Sequence, residues 1–217
     1  MAVMTFNNSE GFKQEKIKEL EKIEKALNNS RTSPLYTYRK ENNYEPVIGE
    51  GDPDANIMFI GEAPGAKEAE TGRPFVGRAG QMLNDLLESI GLNREDVYIT
   101  NIVKDRPPDN RDPHSAEIEF YAPYLHQQIE IIQPKVIATL GRFSMKFTLE
   151  RFELPEQDQP IGELHGKLLK TKSSFGEIKI LPLYHPAAMF YNRKLQPIIE
   201  EDFKILEQFL SSKTSSV

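Results

Sequence analysis

Short apolar strands alternating with amphipathic helices predict an α/β fold on a largely parallel sheet covered on both faces. Four runs carry this expectation: residues 56–60, 97–103, 136–140 and 178–183 are short, apolar and rich in β-branched residues. Helical stripes separate them. The first run ends in Gly61-Glu-Ala-Pro-Gly65, a loop in which a strand turns toward a helix. Ligands of open α/β sheets bind at the carboxyl ends of strands, so a site is expected at that loop.

The elements follow in order. Residues 1–11 read as a flexible tail, 12–210 as a single domain and 211–217 as a second, Ser/Thr-rich tail. Between Phe12 and Leu27, Ile17, Leu20, Ile23 and Leu27 share one helical stripe, and the intervening Lys and Glu form its solvated face. A polar, turn-rich stretch spans 28–54. After the first strand and its loop, Ala79, Met82, Leu83, Leu86, Leu87 and Ile90 recur at helical spacing until Gly91 stops them. Ser115 is placed to cap a helix carrying Ile118, Leu125, Ile129 and Ile132, with Pro134 beyond its end. Gly141 closes the third strand, and the stretch 154–162 reads as poorly ordered. Leu195, Ile198, Ile199, Phe203, Leu206 and Phe209 mark a closing helix. If the strands are parallel, Glu62, Asn101 and His185 converge on one edge of the sheet.

Composition narrows the setting. A chain of 217 residues suits one domain with a sizeable core, and 38% apolar with 28% charged residues is ordinary for a globular protein. No apolar run approaches the ~18 residues of a membrane span. No basic-then-apolar leader opens the chain, so a cytoplasmic location without a membrane partner is expected. The absence of cysteine excludes disulfides, thiolate metal sites and a cysteine nucleophile. A net charge of −6 argues against broad adhesion to nucleic acid. It leaves room for a local basic cleft, because phosphates respond to charge within a Debye length of ~10 Å.

Five motifs point further: Gly61-Glu-Ala-Pro-Gly-Ala-Lys-Glu68, Gly72-Arg-Pro-Phe-Val-Gly-Arg-Ala-Gly80, Thr100-Asn-Ile-Val-Lys104, Arg106-Pro-Pro-Asp-Asn-Arg111 and His185-Pro-Ala-Ala188. In order and spacing the chain resembles family 4 uracil-DNA glycosylases from about Ser30 to Leu206. The resemblance implies a three-layer α/β/α sandwich on a four-stranded parallel sheet. It implies base flipping and hydrolysis of the N-glycosidic bond of deoxyuridine, by a monomer acting on single- or double-stranded uracil-containing DNA. Members of that family hold a four-iron, four-sulfur cluster with four cysteines. Here Ser30, Ser33, Asp105 and Tyr121 take those positions. Hydroxyls and a phenol are not soft anionic ligands, so no metal and no cofactor are expected.

The resemblance also implies roles. Phe75 stacks on the flipped base, and Asn101 reads uracil by accepting from N3–H and donating to O4. His185 donates to uracil O2 as negative charge develops on the leaving base. Glu62 positions water or balances the sugar cation, although other branches of the superfamily carry the water-activating aspartate at the position of Ala63. Gly61, Ala63 and Gly65 belong to the substrate loop, and Glu68 either lines the pocket near C5 or ties the loop down. Independently of the resemblance, the concentration of Arg73, Arg78, Lys104, Arg106, Arg111, Arg193 and Lys194 in and beside the motifs favours contacts with phosphates. Met189, Phe190 or Tyr191 is expected as the wedge that supports the gap left by the base. Two other readings stand beside this one: a different hydrolase or nucleotide binder on the same sheet, and an inactive module that holds uracil-containing or abasic DNA.

Overall fold

The computed structural model describes residues 8–210; the expected tails at 1–7 and 211–217 lie outside the described residues. The strands are β1 (Glu50–Gly51), β2 (Ile57–Gly61), β3 (Tyr98–Asn101), β4 (Val136–Leu140), β5 (Leu169–Ser173) and β6 (Gly176–Leu183). They form one sheet in the order β1-β3-β2-β4-β6-β5. The central four strands, β3, β2, β4 and β6, are parallel, and β1 and β5 add antiparallel edges. The parallel core therefore matches the four expected strands, and the sheet is wider by two. Neither edge carries the apolar signature of a core strand. β1 is two residues long, and four of the five residues of β5, Leu-Lys-Thr-Lys-Ser, are charged or hydroxylated, as edge strands that must avoid self-pairing tend to be.

Each core strand alternates its side chains between two helical layers. Met58, Ile60, Ile137, Ile178 and Ile180 pack with α1 (Asn8–Asn29), α5 (Ser115–Ile132) and α6 (Arg142–Arg151) through Ile23, Leu27, Leu125, Ile129, Met145 and Leu149. Ile57, Phe59, Ala138, Leu181 and Leu183 face α4 (Arg78–Ser89) and α9 (Gln196–Lys204) through Leu83, Leu87, Ile199 and Phe203. Phe59 stacks on Phe203 with ring centres 5.9 Å apart. The remaining helices are α2 (Tyr36–Glu41), α3 (Ala66–Thr71), α7 (Ile161–Leu164) and α8 (Ala188–Tyr191). Helix α1 starts at Asn8, so residues 8–11, expected in a tail, are helical. Ser115 is the first residue of α5, and the orphan N–H of His114 is instead satisfied by the Glu117 carboxylate at 2.8 Å.

The chain passes from β2 to β3 on one side and then crosses to β4 on the other. The carboxyl end of β2 is thus the point where the winding reverses, which is where such sheets open a crevice.

Below that end, the positions that the resemblance assigns to cluster ligands form a polar tie. Asp105 is buried and takes the Arg39 guanidinium at 3.1 Å, the Ser33 hydroxyl at 3.1 Å and the Tyr121 hydroxyl at 2.5 Å. Ser33 and Tyr121 also bond each other at 2.6 Å. Arg39 reaches the carbonyls of Leu27 and Ser30 and so satisfies the end of α1. The Ser30 hydroxyl stands apart, beside Thr32. These donors are hard, already engaged, and share their space with a guanidinium, so they do not fit an iron–sulfur cluster. Breaking one side of a buried pair strands the other charge. Arg39→Met is therefore expected to lower unfolding stability by about 3–5 kcal/mol in urea titrations. Dialysis of the wild-type protein against a strong iron chelator is expected to leave its melting temperature unchanged.

Candidate active site

Strands β2 and β3 keep pairing beyond their ends. The Gly61 carbonyl accepts from Ile102 N–H and the Glu62 carbonyl from Val103 N–H, each at 3.0 Å. This brings Asn101 alongside Gly61. A side chain at Gly61 is impossible without a shift, because its Cβ would lie 2.3 Å from Asn101 Oδ1 and 2.7 Å from Phe75 Cζ. Asn101 is buried, and its Oδ1 has no hydrogen-bond partner. An unpaired buried acceptor costs about 1–3 kcal/mol, so this oxygen is poised for a donor that a ligand brings.

Phe75 adopts left-handed backbone, with φ +50°. A bulky residue holds that conformation only when its surroundings enforce it. The Glu68 carboxylate accepts from Val76 N–H at 2.9 Å and Gly77 N–H at 2.8 Å. Arg94 donates to the Phe75 carbonyl at 3.1 Å and to the Pro74 carbonyl. Glu50 fixes Arg94 at 3.1 Å and holds Arg73 through two bonds at 2.7 and 2.8 Å. The Arg73 hydrogen bond, opposed by burial and helped by Arg94, keeps the Glu50 carboxyl below its usual range. Of the two roles open to Glu68, the geometry shows the loop tie: Gly65 and Gly77 leave the room in which its carboxylate sits.

His185 follows β6 and faces Phe75, with ring centres 5.8 Å apart and planes 29° from parallel. Its Nδ1 lies 3.1 Å from the Ala187 N–H. A backbone N–H can only donate, so Nδ1 is the bare nitrogen and Nε2 carries the proton. Burial pushes the imidazole pKa down to about 4, which makes the ring neutral near pH 7. Glu62 is pushed up to about 7, first by burial and then by the negative charge of Asp112, with Arg142 opposing. Arg142 and Asp112 are themselves paired at 3.4 Å on the surface.

The structure thus gathers Gly61, Glu62, Phe75, Asn101 and His185 at one end of the sheet, with Ala63 and Gly65 in the loop that enters α3. The expected phosphate contacts fare differently. Lys104 is a correction: it is 0% exposed and turns inward, because the turn after β3 points its side chain under the sheet toward α5. Arg106 is engaged with Tyr44 at 2.5 Å and Asn110 at 2.8 Å, and Arg111 grips Glu117 at 2.9 and 2.6 Å. Met189, 6% exposed, is a second correction: it packs with the layer that holds Ile199 and Phe203 and cannot serve as a wedge. Tyr191 is 91% exposed at the same tip. Arg78 and Arg193 are exposed, and the Arg78 guanidinium lies 4.3 Å from the centre of the Phe190 ring. Arg94, Glu50, Asp112 and Arg142 escape sequence reasoning because each acts across a long stretch of chain with no local motif around it.

Residues 48–209, which include every strand and every gathered side chain, match the sequence profile of the uracil DNA glycosylase superfamily. The chain belongs to that superfamily. It is 46% identical over 190 residues to the type-4 uracil-DNA glycosylase of Sulfurisphaera tokodaii, covering 87% of this chain and 84% of the relative. The type-4 enzyme of Saccharolobus solfataricus is 46% identical over 180 residues, 82% of this chain and 81% of its own. That of Archaeoglobus fulgidus is 43% identical over 176 residues, 81% and 86% of the two chains.

The raised Glu62 pKa has a signed effect on stability. The unfolded chain loses this proton near the ordinary 4.5 and the folded chain near 7, so the residue destabilises the fold increasingly as pH rises through that window. Glu62→Gln is expected to raise the melting temperature at pH 8, with the gain vanishing by about pH 4; scanning calorimetry at several pH values reads this directly.

Proposed function

We propose that this protein hydrolyses the N-glycosidic bond of deoxyuridine in DNA, releasing uracil and leaving an abasic site. The observation that carries the reading is the His185 ring, its Nδ1 accepting from the Ala187 N–H, facing Phe75 near the unpaired oxygen of Asn101. The type-4 uracil-DNA glycosylases among the relatives support it.

A glycosylase cannot reach C1′ within a stacked duplex, so the nucleotide is rotated into the site. Phe75 stacks on the base without distinguishing one pyrimidine from another; stacking of this kind is worth about 1–3 kcal/mol. Asn101 Oδ1 accepts from uracil N3–H, and its amide NH₂ donates to O4. Cytosine presents the reverse pattern and leaves both partners unpaired, a strong ground for rejection in a buried site. As the C1′–N1 bond breaks, its electron pair moves onto the uracil ring, and His185 Nε2–H donates to O2. That bond strengthens as charge develops, which is the condition for catalysis. Water adds its oxygen to C1′ and gives its proton to the Glu62 carboxylate. A base with a pKa near 7 is matched to that transfer near neutral pH. Tyr191 enters the gap in the stack, and Arg78 and Arg193 contact phosphates beside it.

Incubation with a labelled uracil oligonucleotide, single- or double-stranded, followed by alkali, is expected to yield a cleaved product. Replacing His185 with Ala should lower the rate about 10²–10³-fold, as loss of one such donor typically does. Binding without product would instead indicate an inactive module. The pH profile adds a signed expectation: kcat/KM rises with pH and levels above about 7 as Glu62 ionises, while His185 imposes no limit until about 4. Glu62→Gln should abolish the rise. An Asn101→Asp variant should weaken discrimination against cytosine in the same assay.

A further inference from the structure

Lys104 is a fully buried amine whose partners are all neutral oxygens. Its Nζ donates to Thr100 Oγ1 at 2.6 Å, to the Asn101 carbonyl at 2.7 Å and to Gln128 Oε1 at 2.5 Å, with the Ile48 carbonyl at 3.4 Å. Three donors thus meet three close acceptors. Those acceptors are themselves fixed. Gln128 on α5 donates to the Ile48 carbonyl at 2.9 Å and to the Tyr98 hydroxyl at 3.1 Å, and Thr100 donates to the same Ile48 carbonyl at 2.6 Å. Burying an amine without a counter-charge is costly, and burial drives its pKa well below the ordinary range. A methionine of similar shape would fill the space without that penalty, so the amine needs a purpose beyond packing.

Its place in the backbone supplies one. The peptide joining Asn101 to Ile102 is held at both poles: Lys104 takes the carbonyl, and the Gly61 carbonyl takes the N–H at 3.0 Å. This peptide plane sets the direction in which the Asn101 side chain leaves the strand, toward Gly61 and Phe75. We infer that Lys104 is a positioning residue for uracil recognition, clamping the Asn101–Ile102 peptide so that the Asn101 amide meets the base in one orientation. The inference rests on the reading of Asn101 as the group that reads uracil. Lys104 touches no substrate and acts through Asn101 alone.

The test is a double-mutant cycle on uracil oligonucleotides with the full chain: wild type, Asn101→Ala, Lys104→Met and the double variant, each with its melting temperature, kcat, KM and inhibition by free uracil. Lys104→Met is expected to lower kcat about tenfold and to weaken inhibition by uracil by a similar factor, with the KM for DNA little changed. In the Asn101→Ala background it should cause no further loss. Equal losses in both backgrounds, or a lower melting temperature with unchanged uracil inhibition, would overturn the positioning role. A wild-type rate in Asn101→Ala itself would instead remove the reading of Asn101, a distinct result. Should the lysine variants not fold, Thr100→Val withdraws one of the three close acceptors at nearly constant shape. It should weaken uracil inhibition in the same direction, by a smaller factor, and unchanged inhibition would count against the clamp.

Discussion

The close approach of three chain segments at Gly61 is the constraint on which the site depends. The amide of Asn101 and the ring of Phe75 both press into the volume that a side chain would occupy there. That approach is possible because β2 and β3 continue their parallel pairing for two residues past the sheet. Phe75 then has to be held in a strained left-handed turn, and the ties from Glu68 and Arg94 hold it. Remove the glycine and the amide, the ring and the imidazole that faces it can no longer share one small space.

Electrostatics follow from the same enclosure. Burial moves Glu62 up and His185 down, in each case favouring the neutral form. Two groups of opposite ionic type thereby differ in state near neutral pH: a carboxyl close to its midpoint and an imidazole that keeps one fixed proton. The Ala187 N–H selects the tautomer of His185.

Much of this was legible in the chain. The core strands were marked by apolar, β-branched runs, and the boundaries of β4 were the expected ones because Gly141 ends it abruptly. The meeting of Glu62, Asn101 and His185 followed from placing each at a carboxyl end of a strand. What the sequence could not display was direction. Lys104 sits among basic motif residues and reads as a phosphate contact, yet the turn after β3 sends it inward; Met189 was indistinguishable from its neighbours Phe190 and Tyr191 until the short helix α8 decided which of them faces the core. The edge strands β1 and β5 lacked an apolar signature, and α6 hid behind the buried hydroxyls of Ser144 and Thr148, which read as polar in a one-dimensional pattern.

Lys104 and Asp105 are consecutive and buried, yet they serve different neighbourhoods. The first steadies the strand end that carries Asn101, and the second anchors Arg39, Ser33 and Tyr121. A single peptide link therefore joins the strand end that carries Asn101 to the packing of α1 and α2. In this chain that mechanical junction is made from nitrogen and oxygen alone, so its integrity does not hinge on iron supply, and oxidants meet no sulfur ligand there.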